Sequence, residues 1–146
     1  PSEERRAKAM EIGATAAFDP TMVNPVAAIH EASDGGVNVA FEVSGIPSVL
    51  QQSIDCTTFV GQIVLVSIWE PEARFQPNTV VLREREIKGT ICYRNIYPAE
   101  KAMMEQGYYS AEKLVTKRIG LDDIVSEGFE VLSNEKSQIK ILVEAP

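Results

Sequence analysis

Residues 37–45, Val-Asn-Val-Ala-Phe-Glu-Val-Ser-Gly, decide the fold of this chain. The run is nearly all apolar or β-branched, and glycine closes it just before a helical pattern that begins near Pro47. Such a run is typical of a strand buried on both faces, as in a parallel sheet between two layers of helices. A second run of this kind, residues 63–68, ends at residues 69–71, Trp-Glu-Pro. Two such strands joined by one helix form a βαβ unit, so the sequence predicts an α/β fold.

The corner after the first strand, residues 42–45, is the predicted place for a bound cofactor. In parallel sheets between helices, ligands bind beyond the carboxyl ends of the strands, where loops meet helix N-termini. Glu42 is unusual there because it is a carboxylate inside an apolar strand, and it needs either a hydrogen-bonding partner or contact with solvent. Two interpretations stay open, one in which Glu42 has a structural role and one in which it borders a ligand.

The rest of the chain alternates helical and extended patterns. Ser2 and Asn24 are good N-caps for the first two predicted helices, and Gly107 ends a later one. The predicted helices cover residues 3–12, 25–32, 47–54, 78–82, 98–106 and 121–132. The predicted strands cover residues 15–18, 37–43, 63–68, 87–93, 113–119 and 139–143. This order predicts a doubly wound parallel sheet with helices on both faces.

Composition excludes several classes of function. A formal net charge of −7 argues against binding to nucleic acid or to an anionic membrane, because no basic stripe is present to displace counterions. No apolar run approaches the length of about 18 residues that a transmembrane helix needs. The two cysteines fit a reducing compartment better than a disulfide framework. We therefore expect a cytoplasmic protein that binds neither nucleic acid nor membrane.

The residue types needed for catalysis are scarce. The single histidine, His30, lies in a predicted helix, where a surface or boundary position is the usual one. Cys56, Cys92 and His30 show no metal-binding spacing, and both cysteines are expected to be small buried hydrophobic residues. Neither a Gly-x-Ser-x-Gly elbow nor a phosphate-loop lysine pattern is present. The sequence therefore predicts no catalytic residue and no metal ligand in this chain.

Several segments resemble the zinc-dependent medium-chain alcohol dehydrogenases. They are residues 2–15 (SEERRAKAMEIGAT), 37–45 (VNVAFEVSG), 61–69 (GQIVLVSIW), 87–94 (IKGTICYR) and 121–132 (LDDIVSEGFEVL). Within that family the sequence is most similar to the (R,R)-2,3-butanediol dehydrogenases, near the sorbitol and threonine dehydrogenases. The resemblance implies a Rossmann-like cofactor domain and hydride transfer between a nicotinamide cofactor and a vicinal diol or its ketone.

The resemblance also implies cofactor contacts at the start of the first helix and after three strands. The adenosine ribose would lie against Ser2 and Arg5, although Arg5 is as readily explained as a solvated side chain. The ribose and nicotinamide side of the cleft would be lined by Val43, Ser44 and Gly45. Backbone groups for the nicotinamide carboxamide would come from Val66, Ser67 and Ile68. The last wall would be formed by Thr90, Ile91 and Cys92, with Ile91 also near the substrate.

Family members pair their subunits through a sheet edge near residues 75–77, Phe-Gln-Pro, so the resemblance implies a homodimer or homotetramer. It also favours NAD as the cofactor. Arg5 and Arg6 could attract the extra phosphate of NADP, but Glu3 and Glu4 oppose it.

The departures from the family pattern are as informative as the matches. The Gly-x-Gly-x-x-Gly turn that holds the pyrophosphate is missing, and so is the acid that grips the ribose. The zinc ligands, the four-cysteine site and the proton relay of the family are also missing. We therefore expect residues 1–146 to be a partial doubly wound sheet, lacking its first strand and glycine-rich turn, plus a C-terminal return segment.

The zinc-binding catalytic domain is expected to lie outside this chain, so the chain by itself should be inactive. The alternatives are a stand-alone nucleotide-binding or oligomerisation module without catalysis, and a zinc-free reductase of the same superfamily.

Overall fold

The computed structural model of the protein describes residues 2–108 and 110–145. The chain divides into two compact units, one of residues 20–94 and one of residues 1–19 together with 95–146. Both combine helices with parallel strands, so the predicted α/β class is confirmed. The helices are α1 (Glu3–Glu11), α2 (Pro25–Ala32), α3 (Pro47–Asp55), α4 (Asn78–Val81), α5 (Tyr97–Glu105) and α6 (Glu130–Asn134). The strands are β1 (Val37–Glu42), β2 (Thr57–Leu65), β3 (Glu86–Gly89), β4 (Val115–Gly120) and β5 (Lys140–Glu144).

The unit of residues 20–94 contains a three-stranded sheet in the order β1-β2-β3, with both pairs parallel. In its register Ala40 lies beside Ile63, and Ile63 lies beside Ile87. Helix α3 connects β1 to β2, so the predicted βαβ unit is confirmed. The parallel arrangement brings the carboxyl ends of all three strands to one edge of the sheet.

The core of this unit lies on the α3 side of the sheet. Leu50 and Ile54 are one turn apart on α3, and both pack against Ile63 of β2. Ile54 and Ile63 are fully buried. Partly buried side chains surround them, namely Leu65, Trp69, Ala73, Val80 and Ile87.

The other face of β1 is exposed, which corrects the prediction of a strand buried on both faces. Side chains alternate along a strand, so Val39 and Phe41 point away from the α3 side. They are 43% and 66% exposed, and Val43 just beyond the strand is 67% exposed. Strand β1 is also an edge of its sheet. The run was apolar enough for two covered faces, but among the described residues a helix layer covers only one.

Two predicted strands overran their true ends. Residues 66–68 follow β2 and residues 90–92 follow β3, so both segments belong to loops at the carboxyl edge of the sheet. Strand β2 instead begins earlier than predicted, at Thr57, which lies beside Val37. The next pair is Val39 with Gln62, so the register shifts between them.

The second unit contains α1, α5, α6 and the parallel pair β4–β5. Ser2 caps α1 as predicted, since its side chain accepts a hydrogen bond from the Arg5 backbone N–H at 3.2 Å. Gly13 ends this helix with a φ of +114°, which suits glycine. The strand predicted for residues 15–18 does not form, because no strand in the described part of the chain pairs with it.

The helix predicted for residues 121–132 forms in three pieces. A 3₁₀ turn (Leu121–Asp123) leads into a π-helical segment (Ile124–Phe129), and α6 follows. Gly128 is buried in the π segment, where a Cβ would lie 3.3 Å from Cδ1 of Ile119. The spacing of apolar residues therefore predicted the helical region correctly but not its winding.

We predict that Leu50→Ala lowers the free energy of local opening of β2 by about 2–5 kcal/mol, because it leaves a cavity beside Ile54 and Ile63. Leu82→Ala is the matched control, since Leu82 is 72% exposed and should change that value by less than about 0.5 kcal/mol. Hydrogen exchange of residues 57–65 in the two variants measures the difference. Equal exchange rates would contradict the assigned core.

Candidate functional site

The residues predicted to contact a cofactor fall into two places. Those after β1, β2 and β3 lie in one unit, at the carboxyl edge of its sheet. Backbone hydrogen bonds join the loops after β2 and β3 to the end of the neighbouring strand: the Val66 N–H donates to the Glu42 carbonyl at 2.9 Å, and the Thr90 N–H donates to the Leu65 carbonyl at 3.0 Å. We call the three loops the β1 corner (residues 43–45), the β2 corner (residues 66–68) and the β3 corner (residues 90–92).

Ser2 and Arg5 belong to the other unit, at the start of α1. The Ser2 hydroxyl donates to the Lys136 carbonyl at 3.3 Å, and the Arg5 guanidinium donates to the Gln138 carbonyl at 3.1 Å. Both side chains therefore bind the segment that precedes β5.

The Glu42 carboxylate is the most highly bonded side chain of the corners. Glu42 is fully buried, yet its two oxygens accept several hydrogen bonds. The backbone N–H groups of Ser44 and Gly45 donate to Oε1 at 2.9 and 3.1 Å. The hydroxyl of Ser44 also donates to Oε1, and the hydroxyl of Ser67 donates to Oε2. Glu42 thus has the partners that a buried carboxylate needs, which supports a structural role.

These contacts set the charge state of Glu42. Burial disfavours the ionised form and alone would raise the pKa. The hydrogen bonds from the Ser44 and Ser67 hydroxyls and from the Ser44 and Gly45 N–H groups stabilise the carboxylate more strongly, so the pKa of Glu42 is lowered. Glu42 is therefore a buried anion at neutral pH.

Gly45 is required where the chain turns from β1 towards α3. Its φ is +67°, in the left-handed region that other residues rarely adopt. A Cβ at this position would lie 3.1 Å from the Ile68 carbonyl oxygen and 3.6 Å from the Ser67 Cβ. A side chain at residue 45 would therefore press against the β2 corner and force it to shift.

The corners present apolar side chains to solvent. Val43, Ile68 and Ile91, one from each corner, are 67%, 80% and 70% exposed. Beside them lies the N-terminus of α3, whose N-cap residue Ile46 makes no side-chain cap hydrogen bond. The Ile46 N–H donates to the Ser44 hydroxyl at 3.3 Å, and Pro47 has no N–H. An open apolar surface of this kind suits a flat ring.

The cysteines and the histidine have different environments. Cys56 is buried as predicted, and burial raises the pKa of its thiol, which makes it unreactive. Cys92 is exposed, so the prediction of a buried residue is wrong there, because β3 ends before it. His30 is partly buried, and its Nε2 lies 2.9 Å from the Asp55 carbonyl, a boundary position as predicted.

Arg85 is a structural residue that the sequence did not reveal. It lies in the charged run of residues 83–86, and charged side chains in such runs are mostly exposed. Its guanidinium instead donates to the carbonyls of Thr57, Thr58 and Thr79, so it ties α4 to the start of β2. An open cavity of about 390 Å³ beside it is lined by His30, Asp55 and Arg85 among others, and by none of the corner residues.

Across residues 2–108 and 110–145, no helix combines the length and apolarity that crossing a bilayer requires.

We predict that Gly45→Ala is more destabilising than Gly107→Ala. Gly107 has a similar φ of +77° but nothing within 4 Å of its added Cβ, so it should show only the backbone strain of about 1–2 kcal/mol. Gly45→Ala adds the contact with the Ile68 carbonyl. Urea unfolding of both variants measures the difference, and equal losses would show that the corners are not in close contact.

We also predict an acid-sensitive contribution from Glu42. Its folded pKa lies below the unfolded value of about 4.3, so ionised Glu42 stabilises the fold fully above that value. The contribution is lost as the pH falls through the lowered folded pKa. Glu42→Gln should therefore be destabilising by a constant amount near neutral pH, and the difference should shrink below about pH 4. A pH-independent difference in unfolding free energy would contradict the assigned hydrogen bonds.

Known proteins are similar to this chain in sequence and in structure. The family model described as zinc-binding dehydrogenase matches residues 1–106. The chain is 54% identical to an (R,R)-butanediol dehydrogenase of Bacillus subtilis and 37% identical to one of Neisseria gonorrhoeae, in each case over 97% of this chain. It spans only 41% of the length of both relatives.

A crystal structure of 2R,3R-butanediol dehydrogenase from Bacillus subtilis superposes with a TM-score of 0.91 at 53% identity. The match covers 98% of this chain and 41% of that one. The predicted resemblance, including its nearness to the butanediol dehydrogenases, is confirmed. This chain belongs to the zinc-binding dehydrogenase family.

Proposed function

We propose that this chain is the cofactor-binding part of an NAD-dependent, zinc-dependent alcohol dehydrogenase that acts on vicinal diols such as 2,3-butanediol. In the oxidation, the carbinol C–H bond breaks, its electron pair goes with the hydride to the nicotinamide ring, and the hydroxyl proton is released. We assign the activity to the whole protein, since this chain spans only 41% of the length of the two butanediol dehydrogenases. The main support for the proposal is the carboxyl edge of the β1–β3 sheet, where the three loops predicted to contact the cofactor lie together.

Each corner contributes a different part of the proposed site. The β1 corner offers an exposed Val43 and a close-packed Gly45 to the ribose and nicotinamide side. The β2 corner offers backbone groups of residues 66–68 to the carboxamide, with Ile68 exposed beside them. The β3 corner closes the wall with Thr90, Ile91 and the exposed Cys92. We assign no proton transfer to any of these side chains.

The contacts of α1 favour NAD over NADP in this proposal. A 2′-phosphate needs local positive charge, which Arg5 and Arg6 could supply. The Arg6 guanidinium is paired with the Asp19 carboxylate at 2.9 Å, and Arg5 donates to the Gln138 carbonyl. Glu3 and Glu4 add negative charge in the same turn. The proposal places the adenosine ribose beside Ser2 and Arg5.

Zinc does not fit the described part of this chain. Within residues 2–108 and 110–145, no group of three or more His, Cys, Asp or Glu side chains could hold a metal ion. The proposal therefore assigns the zinc ligands, and the proton transfers of the reaction, to the part of the protein that this chain does not span.

The exposed face of β1 supports the proposal that residues 1–146 are an incomplete dinucleotide-binding domain with a return segment. Val39 and Phe41 form an apolar surface on β1, whose outer edge has no partner strand among the described residues, a combination that proteins normally cover. We assign its cover to the rest of the protein.

Subunit pairing in a dimer or tetramer is assigned to the β3 edge and residues 75–77. The free cysteines are consistent with a cytoplasmic protein.

Steady-state kinetics of the intact protein test the proposal. The expected result is formation of NADH from NAD and 2,3-butanediol, with loss of activity when zinc is chelated. Binding of NADH without turnover would favour the stand-alone nucleotide-binding module. Absence of both binding and turnover would refute the proposed function.

We predict that Ser44→Trp in the intact protein raises the KM for NAD at least about tenfold, because the indole crowds the β1 corner. Ser133→Trp is the control, since Ser133 is an exposed residue of α6 and the KM should not change. An unchanged KM for NAD in Ser44→Trp would remove the β1 corner from the site.

A further inference from the structure

One carboxylate joins the corners of two neighbouring strands. Oε1 of Glu42 accepts from the β1 corner, where the donors are the Ser44 and Gly45 N–H groups and the Ser44 hydroxyl. Oε2 accepts from the Ser67 hydroxyl in the β2 corner and, at 3.4 Å, from the Gly45 N–H. The Glu42 carbonyl also accepts from the N–H groups of Val66 and Ser67, at 2.9 and 3.4 Å. In the described part of the chain, Glu42 accepts every hydrogen bond that links residues 42–45 to residues 66–68.

Strand pairing alone does not explain a carboxylate at this position. Backbone pairing already aligns Glu42 with Leu65, and position 42 lies on the covered face of β1, where an aliphatic side chain would pack without the cost of burying a charge. The carboxylate acts beyond the last paired residues, on loops that have no ladder of their own. Its particular effect is therefore on the separation and orientation of the two corners.

The same contacts fix the direction of two hydroxyl hydrogens. A carboxylate only accepts, so the hydrogens of Ser44 and Ser67 point at Glu42. The Ser44 oxygen in turn accepts from the Ile46 N–H at 3.3 Å, which extends the network to the start of α3. Both serines can then offer only lone pairs to a ligand in the cleft. Ribose hydroxyls and an amide NH₂ are donors that match them.

We infer that Glu42 is a positioning residue for the cofactor: it sets the gap between the β1 and β2 corners and makes Ser44 and Ser67 hydrogen-bond acceptors. The inference rests on the proposed function. Glu42 has no contact with the reacting atoms, since it is fully buried behind the corners. Its effect should therefore appear in cofactor binding and not in recognition of the alcohol.

The test uses Glu42→Gln in the intact protein. Glutamine keeps the size but replaces one acceptor oxygen with an NH₂ donor, which opposes at least one of the present donors. We expect the KM for NAD and the Kd for NADH to rise about tenfold, with the KM for the alcohol unchanged. A purely structural role would lower kcat, through the fraction of folded enzyme, at unchanged KM for NAD.

Glu86→Gln is the matched control. Glu86 is an exposed carboxylate at the start of β3, at the end of the strand opposite to the β3 corner. It accepts a hydrogen bond from the Gln62 side chain. Cofactor binding should therefore not change in this variant. If Glu42→Gln does not fold, Ser67→Ala decides, because it removes the hydroxyl that bonds to the Glu42 carboxylate and that would accept from the cofactor, and it keeps the backbone bonds to the Glu42 carbonyl. That variant should melt near the wild type and show a several-fold higher Kd for NADH.

The outcomes separate the two claims. A wild-type protein that binds no dinucleotide refutes the proposed function, and this inference with it. The other decisive outcome is a wild type that binds NADH and a folded Glu42→Gln variant whose KM for NAD and Kd for NADH are unchanged. Where Glu42→Gln does not fold, Ser67→Ala takes its place. This outcome overturns the inference and leaves the proposed function standing.

Discussion

The candidate site depends on a buried anion with its own hydrogen-bond donors. Glu42 lies in an apolar strand, and its charge is tolerated because two hydroxyls and two backbone N–H groups surround it. Those donors come from the residues that turn the chain out of β1 and β2. The close approach of Gly45 to the Ile68 carbonyl is part of the same arrangement, since it lets the two corners meet without an intervening side chain.

The sheet supplies the frame for these corners. Because β1, β2 and β3 are parallel, their carboxyl ends share one edge, and α3 fills the space beneath with Leu50 and Ile54. Parallel pairing thus converts three separate segments of sequence into one surface. The opposite side of β1, with Phe41 exposed, has no such support within the described residues, which agrees with a chain that spans 41% of its relatives.

Local features were predictable from the sequence, whereas features that depend on distant partners were not. Ser2 caps α1 through a contact three residues away, which a sequence pattern can reveal. The hydrogen bond between Glu42 and Ser67 joins residues that are 25 apart in the sequence, and no sequence pattern predicted it. Residues 15–18 have a reasonable strand composition but lack a neighbour, and Cys92 is exposed because β3 ends sooner than its apolar run. The roles of the corner residues came from family resemblance, not from periodicity.

A crystal structure of the intact protein with NADH would show whether Glu42 organises the cofactor site. We expect the nicotinamide ribose and carboxamide to lie against residues 43–45 and 66–68, with the Glu42 carboxylate still bound to the hydroxyls of Ser44 and Ser67. NADH bound elsewhere, or corners that separate from Glu42 when NADH binds, would contradict it.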